Sequence, residues 1–376
     1  MSVGEEENLG VLRNKDTRKM KTVSVIVNHN NWDDLRRHLK MIVAYENLDG
    51  CIVVDNASDP EELRSFREEF GSGKKRPDHY ESTDKPDQND LIDKQGQKDR
   101  INQKDRKVKI IFLETGRNAG YGAGNNAGLK YAAEVLGAKY ALIANPDTEY
   151  SDECVKKLVS TLESRRDAAT AAPVMIRQGA GMAPGMKRPE TDAARGKKRK
   201  ETGMVPGSRT QVLSGPIAWP VRDWLHELLE NGPVSRRLFR RALHYSEAFY
   251  RNRDGSGYRD IVTVGAVPGS LLLADIYKFM LAGGYDEEMF LYGEENLIGW
   301  RLKQLGFRTL LLMNESYLHM HPSEGLTPGR DRQLLRQESM MHYFRDCLKA
   351  GPVKQLISKA FFGIVDLEVR FFSRRS

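Results

Sequence analysis

Four short apolar runs, each closing on polar residues, constrain this chain more than any other feature. They are TVSVIVNHN (22–30), GCIVVDNAS (50–58), VKIIFLET (108–115) and KYALIANPD (139–147). Val23, Val25, Ile26 and Val27 in the first are apolar and mostly β-branched, as in a buried strand. Between the first two runs, from Asp33 to Tyr45, Leu35, Leu39, Ile42 and Val43 recur at helical spacing. Strand, helix and strand over so few residues is a βαβ unit, which dictates a parallel sheet. Further helices are expected over Ala119–Leu136, Glu153–Arg165 and Glu294–Leu305, and further strands over 170–176 and 307–313. Regular structure is also expected over 261–276. The fold class is therefore α/β, with a Rossmann-like, mostly parallel central sheet flanked by helices.

Apolar residues make up 39% and charged residues 30% of the 376. With a mean hydropathy of -0.58, part of the chain must be solvated rather than core. Two stretches fit that role: 71–107, rich in Lys, Asp, Gln, Gly and Pro and expected to be disordered, and 177–260, expected to be irregular and basic. The second holds Lys197–Lys200 and the basic amphipathic stretch Arg236, Arg237, Leu238, Phe239, Arg240, Arg241. Residues 1–20 read as a polar N-terminal segment, 21–325 as the main domain and 326–376 as a C-terminal helical extension. From Val353 onward, Leu356, Ile357, Ala360, Phe361, Ile364, Leu367 and Phe371 keep helical spacing, flanked by Lys354, Lys359, Arg370, Arg374 and Arg375.

The net charge of +7 points to an anionic partner: a phosphate-bearing substrate, an anionic membrane surface or nucleic acid. The basic runs lack interleaved aromatics, which argues against nucleic acid. Cys51, Cys154 and Cys347 are far apart, so neither a disulfide framework nor a zinc site is expected, and a reducing compartment is favoured. The first residues lack an apolar signal core, and no run is long enough to span a bilayer. A cytoplasmic location follows as an expectation.

Ligands of parallel α/β sheets bind beyond the carboxyl ends of the strands. There the sequence places Asn28, His29 and Asn30; Asp55, Asn56 and Ser58; Arg117, Asn118 and Gly120; and Asn145, Pro146 and Asp147. A single acid at such a place is ordinarily a helix cap or turn former. Four consecutive polar ends describe a crevice lined with hydrogen-bonding groups. RNAGYGAGNNAG (117–128) is a Gly-rich turn entering a helix, suited to close approach by phosphate. It is neither a Walker loop nor a dinucleotide fingerprint. Asp147, at a strand end beside that turn, suits Mg2+ or Mn2+ shared with a diphosphate. His319 and His321, alternating in YLHMH, are candidates to complete the site. In FLYGEEN, Glu294 and Glu295 open a helix, where the helix dipole favours acids; the catalytic alternative makes one of them a general base.

Together SVIVNHN, VVDNAS, RNAGYGAGNNAG, ANPDT, VPGSLLL, GGYDEEMFLYGEE, LKQLGF and YLHMH resemble the second family of glycosyltransferases, with the A-type fold. The likeness extends to rhamnosyltransferase-like enzymes of bacterial polysaccharide assembly and covers residues 22–176 and 261–323. It implies that Asn30, Asp55 and Asn56, with Asn28 beside them, hold nucleobase and ribose. Asn118, Gly120 and Asn126 would lie at the turn near the diphosphate, and Asn145, also on the donor side, would replace the first Asp of the DXD motif. Asp147 would be the metal-binding acid of a shortened DXD motif, His319 the late His near the metal, Asp286 the acceptor-side acid and Glu295 the catalytic base. Leu297 departs from the family's second acid after the aromatic segment, and His29 replaces a common Tyr. The implied activity is inverting, metal-dependent transfer of a sugar such as rhamnose from a nucleotide diphosphate donor to a glycan or lipid-linked glycan. The weighed alternatives are a nucleotidyltransferase of related architecture and a catalytically degenerate partner protein. A lipid-linked acceptor, with the basic C-terminal stripe, further implies peripheral contact with the inner face of the cytoplasmic membrane.

Overall fold

The computed structural model describes residues 20–70, 108–177, 217–254, 256–320 and 330–373. The expected disorder over 71–107, the run Lys197–Lys200 and His321 lie outside the described residues.

The first half alternates strand and helix as the periodicity requires. It comprises β1 (Thr22–Asn28), α1 (Trp32–Ile42), β2 (Gly50–Asp55), α2 (Pro60–Phe70), β3 (Lys109–Glu114), α3 (Tyr121–Glu134) and β4 (Tyr140–Ala144). After the short β5 (Thr148–Glu149) come α4 (Asp152–Ser164) and β6 (Ala168–Arg177). Ser151 caps α4, its hydroxyl accepting from Cys154 N at 3.1 Å. The helix α2 was not anticipated, because its EELRSFREEF composition is mostly charged and only Phe66 and Phe70 are buried.

Four short helices follow: α5 (Trp224–Asn231), α6 (Pro233–Leu238), α7 (Arg240–Leu243) and α8 (Glu247–Tyr250). They correct the expectation that 177–260 is irregular throughout. Their turns are brief, so no long apolar period betrays them. The second half continues with β7 (Ile261–Val264), β8 (Leu271–Asp275), α9 (Ile276–Leu281), α10 (Glu294–Gln304), β9 (Arg308–His319), α11 (Arg330–Asp346) and α12 (Pro352–Ser373).

The strands form one sheet in the order β3-β2-β1-β4-β8-β6-β9-β5, with β7 also on β9. The pairs β1–β2, β2–β3, β1–β4 and β6–β9 are parallel; those of β8 with β4 and β6, and of β9 with β5 and β7, are antiparallel. Side chains alternate across the sheet. From β2, Ile52 and Val54 enter one apolar layer with Leu129 of α3 and Phe279 of α9, while Cys51 and Val53 enter the other with Leu35 and Leu39 of α1. Burial on both faces explains why these strands read as continuous apolar runs. At Gly128 any side chain would press into Val25, so this glycine sets how closely α3 lies on β1. A third apolar cluster joins α5, α10, α11 and α12 through Leu228, Leu297, Tyr343, Phe344 and Phe362. Among the described residues, no helix is long and apolar enough to cross a membrane.

Candidate active site

From β1 the chain winds outward to β2 and β3, and then returns to place β4 on the other side of β1. The carboxyl ends of β1 and β4 therefore flank the point where the sheet order reverses, where α/β sheets bind ligands. Asn28 and Asp55 are register partners there, both buried. Neither side-chain polar atom of Asn28 has a hydrogen-bond partner, nor has Asp55 Oδ1, while Asp55 Oδ2 accepts from Ser58 N at 3.2 Å. Orphaned buried polar groups cost stability, and they mark this strand end as built for something other than packing. Asn30 is exposed and left-handed, with φ of 55°. Its Oδ1 accepts from Asp59 N at 2.8 Å, so it shapes the loop after β2.

The turn after β4 carries Asn145, Pro146 and Asp147. Thr148 holds it from within, its hydroxyl donating to Asn145 O at 2.7 Å. Beneath lies His38 of α1, 3.0 Å from the Tyr150 hydroxyl and against the backbone of Pro146 and Thr148. Burial drives the His38 pKa down to about 4, so this imidazole is a neutral strut. The strand β9 runs past the turn, pairing Thr148 with His319, and Met320 N donates to Asp147 O at 3.0 Å. Asp147 Oδ2 and His319 Nε2 thereby come within 3.1 Å, both side chains largely buried. Two ligands in neighbouring positions on an ion with bonds of about 2.1 Å lie about 3 Å apart. The pair, one hard carboxylate and one imidazole, fits a divalent cation.

The turn Gly269–Ser270, between β7 and β8, joins the parts of the site. Asn145 N donates to Ser270 O at 2.8 Å. The Ser270 hydroxyl lies 2.6 Å from that of Tyr317. The Tyr121 hydroxyl donates to Gly269 O at 2.8 Å, and Gly269 N donates to Glu295 Oε1 at 3.1 Å. One turn thus separates the Asp147 loop from Glu295 and is gripped by the first residue of the Gly-rich helix. Sequence reading missed Tyr121, His38 and this turn. The available signals were an aromatic amid glycines and a Gly-Ser pair before the LLL of β8.

The Gly-rich turn is braced by amides. Asn56 Nδ2 donates to Asn118 Oδ1 and Gly120 O, both at 3.0 Å, and its Oδ1 accepts from the Thr115 hydroxyl at 3.1 Å. Gly120 has φ of 95° and lies against the Phe290 backbone, where a Cβ would collide. Asn126 Nδ2 donates to Tyr285 O at 2.8 Å, and Tyr285 N donates back to Asn126 Oδ1 at 3.0 Å. Asn56 and Asn126 spend their amides on the protein and shape the crevice from behind. Asp286 is similarly engaged: Arg301 Nη2 donates to its Oδ2 at 2.7 Å and His342 Nε2 lies 3.3 Å away. Sequence reading did not foresee Arg301 and His342, which come from helices distant in sequence.

At the start of α10 two adjacent carboxyls are withdrawn from water. Glu294 is buried and its Oε1 has no partner. Burial, with repulsion from Glu295 second, raises its pKa to about 8, outweighing the helix dipole. Burial raises Glu295 too, against the opposing pull of Gly269 N–H and Arg336. Behind them Asn296 Oδ1 accepts from Trp219 Nε1 at 2.6 Å, and its Nδ2 donates to Glu227 Oε2 at 3.0 Å. A carboxyl raised on folding costs stability as pH climbs from its unfolded pKa to its folded one. Glu294→Gln is therefore expected to melt at least as high as the parent at about pH 9, and the gap should shrink toward about pH 5. The recovered stability should be at most a few kcal/mol. Thermal melts across that range check it, and a gap that widens toward acid refutes the assignment.

The profile described as "Glycosyl transferase family 2" matches residues 94–229, about a third of the chain. A segment of 70 residues is 30% identical to the low-salt glycan biosynthesis hexosyltransferase Agl10 of Haloferax volcanii, covering 19% of this chain and 23% of that protein. The crystal structure of GalNAc-T7 with UDP, GalNAc and Mn2+ aligns over 89% of this chain and 50% of its own, at 16% identity and a TM-score of 0.51. The mannosyltransferase PcManGT from Pyrobaculum calidifontis, in complex with GDP-Man and Mn2+, aligns over 94% of this chain and 72% of its own, at 11% identity and a TM-score of 0.46. The chain spans under a quarter of the length of Agl10 and half that of the GalNAc-T7 chain.

The fold is the A-type glycosyltransferase fold, and residues 94–229 are similar to glycosyltransferase family 2. The matched span holds the Gly-rich turn and Asp147, while Asp286, Glu295 and His319 lie beyond it. The departure at Leu297 has a packing reason. Leu297 is fully buried in the cluster of α5, α10 and α11, where an ionised acid would find no water.

Proposed function

We propose that this chain transfers a sugar from a nucleotide diphosphate donor to a hydroxyl of a glycan or lipid-linked glycan acceptor, inverting the anomeric centre. The observation that carries this reading is the Gly269–Ser270 turn. It holds Glu295 on one side and the loop of Asp147 and His319 on the other.

The nucleoside enters beside Asn28, Asn30 and Asp55, at the ends of β1 and β2. The diphosphate lies along the Gly-rich turn, where Asn56 and Asn118 hold the backbone of Gly120 in place. Asp147 and His319 would hold a divalent cation, Mg2+ or Mn2+, which supplies positive charge to a departing diphosphate. The Mn2+ and UDP of the GalNAc-T7 structure belong to the same donor chemistry. On the acceptor side, the peptide after β8 and α9 is fixed by Asn126 and Arg301. Glu295 takes the proton from the attacking hydroxyl. Its raised pKa makes it a stronger base than an ordinary carboxylate, and the Gly269 N–H orients it. With no second carboxylate assigned as nucleophile, a single displacement inverts the sugar carbon.

Rhamnose is the proposed sugar, on the strength of the motif resemblance. The test is a screen of nucleotide diphosphate sugars with the purified chain and Mn2+, reading release of the nucleotide diphosphate with and without glycan acceptors. Turnover of a nucleoside diphosphate rhamnose above other donors is expected. Turnover of another sugar moves the specificity. Release of pyrophosphate from nucleoside triphosphates and sugar phosphates would instead make the chain a nucleotidyltransferase.

A further inference from the structure

The C-terminal stripe does not pack where an ordinary amphipathic helix would. The side of α12 that faces the protein carries Phe362, Val365 and Val369, all buried. The side away from them carries Val353 at 71%, Leu356 at 69% and Leu367 at 64% exposure, with Ile357, Ile364 and Phe371 also exposed. Large apolar side chains in a row on a surface mark an interaction site.

The second basic amphipathic stretch lies beside it. The α5–α6 pair runs along α12: Trp224 Nε1 donates to Ser358 Oγ at 2.9 Å, Gly232 sits against Phe361, and Val234 N donates to Glu368 Oε2 at 3.3 Å. This pair adds Leu238 at 75% exposure, with Phe239 and Leu225 also exposed.

The charges around these apolar residues are of one sign. Lys354 flanks the stripe on the α5 side, over the Trp224 ring, and Lys359 and Arg370 flank it on the other. Arg237, Arg240 and Arg241 are exposed around Leu238 and Phe239. The acids of α12 are turned to the protein: Asp366 Oδ1 accepts from Gln337 Nε2 at 2.8 Å, and Glu368 accepts from Val234. Of the nearby exposed acids, Asp223 is paired with His226 and Glu247 with Arg251.

We infer that α6, α7 and α12 form a single face that docks this chain on an anionic lipid bilayer. The aliphatic residues of α12 enter the headgroup boundary, and the lysines and arginines on its rim meet lipid phosphates. A second copy of the chain would bring the same basic rim against itself, which is why the bilayer is the better occupant.

Flotation of the full-length chain with vesicles tests it. The chain should float with vesicles of phosphatidylcholine and phosphatidylglycerol, stay behind with phosphatidylcholine alone, and lose binding as salt is raised. Leu356→Glu with Leu367→Glu should abolish flotation without moving the melting temperature, because both positions are exposed. Arg240→Ala with Arg241→Ala should weaken binding by roughly fivefold per side chain, an independent check that leaves the apolar stripe whole. Failure to float with either vesicle overturns the inference, as does equal binding to neutral lipid at all salt concentrations. So does a dimer, seen by light scattering, that the paired leucine substitutions dissolve, because the face would then join copies of the chain.

Discussion

Glu295→Gln is expected to lower sugar transfer by roughly 10²–10⁴-fold, the range typical of a lost general base. Glutamine keeps the shape and can still accept from Gly269 N, so donor binding should be nearly unchanged. The parent enzyme should gain activity as pH rises through a pKa above the ordinary carboxylate range, because burial raises Glu295 and only its ionised form accepts a proton. That limb should vanish in the variant. Steady-state rates across pH, with a separate titration of donor binding, check both parts. Near-parental turnover in Glu295→Gln, with the pH limb intact, would move the base to Glu294.

The second large effect is expected at Asp147. Chelator should abolish transfer and Mn2+ should restore it. Asp147→Ala should cost roughly 10³-fold or more, since a bound cation contributes several kcal/mol of charge stabilisation when a diphosphate leaves. His319→Ala should fall in the same direction by less, as one ligand of a set completed by substrate oxygens. Calorimetric titration of Mn2+ into the chain with nucleoside diphosphate present gives a readout apart from turnover: tight binding in the parent, weak in Asp147→Ala. Full activity in excess chelator would sink the cation site and leave Asp147 and His319 as a structural ion pair.

The sheet was legible in the sequence because its central strands β1, β2 and β4 are buried on both faces. Val23 to Val27, Ile52 to Val54 and Ala141 to Ile143 cannot be read as anything exposed, and their polar ends mark the crevice. The helix α2 was not legible, because a charged helix that buries only Phe66 and Phe70 leaves no apolar period. The helices between Trp224 and Tyr250 stayed hidden for a related reason: turns of four to eight residues give too short a window for a 3.6-residue repeat. At the site, residue types were readable and partners were not. Asp147 stood out at its strand end, but its closeness to His319 depends on β9 continuing past Met313 to pair with Thr148. Asn56 and Asn126 read as ligand contacts, whereas their amides brace Gly120 and Tyr285. Nothing local in a sequence tells a brace from a contact. The stripe of α12 was legible as apolar, yet its exposure follows from Phe362, Val365 and Val369 having taken the packing side.

The junction between the Gly-rich helix and the peptide after α9, proposed above to face the acceptor, bears on how such a chain diversifies. Asn126 bonds the main-chain O and N of Tyr285, and Tyr121 N donates to the main-chain O of Phe290 at 3.1 Å. Asn126 also donates to Glu287 Oε1 at 3.0 Å, but the main-chain fastenings do not read the side chains at Glu288 and Leu291, so exchanging those two leaves the fastenings in place. Loss or gain of one residue between Tyr285 and Phe290 shifts every main-chain partner at once. Under the proposed function, a lineage built this way changes its acceptor by substitution while holding the length of that peptide fixed, and variant libraries at this peptide should keep its length constant.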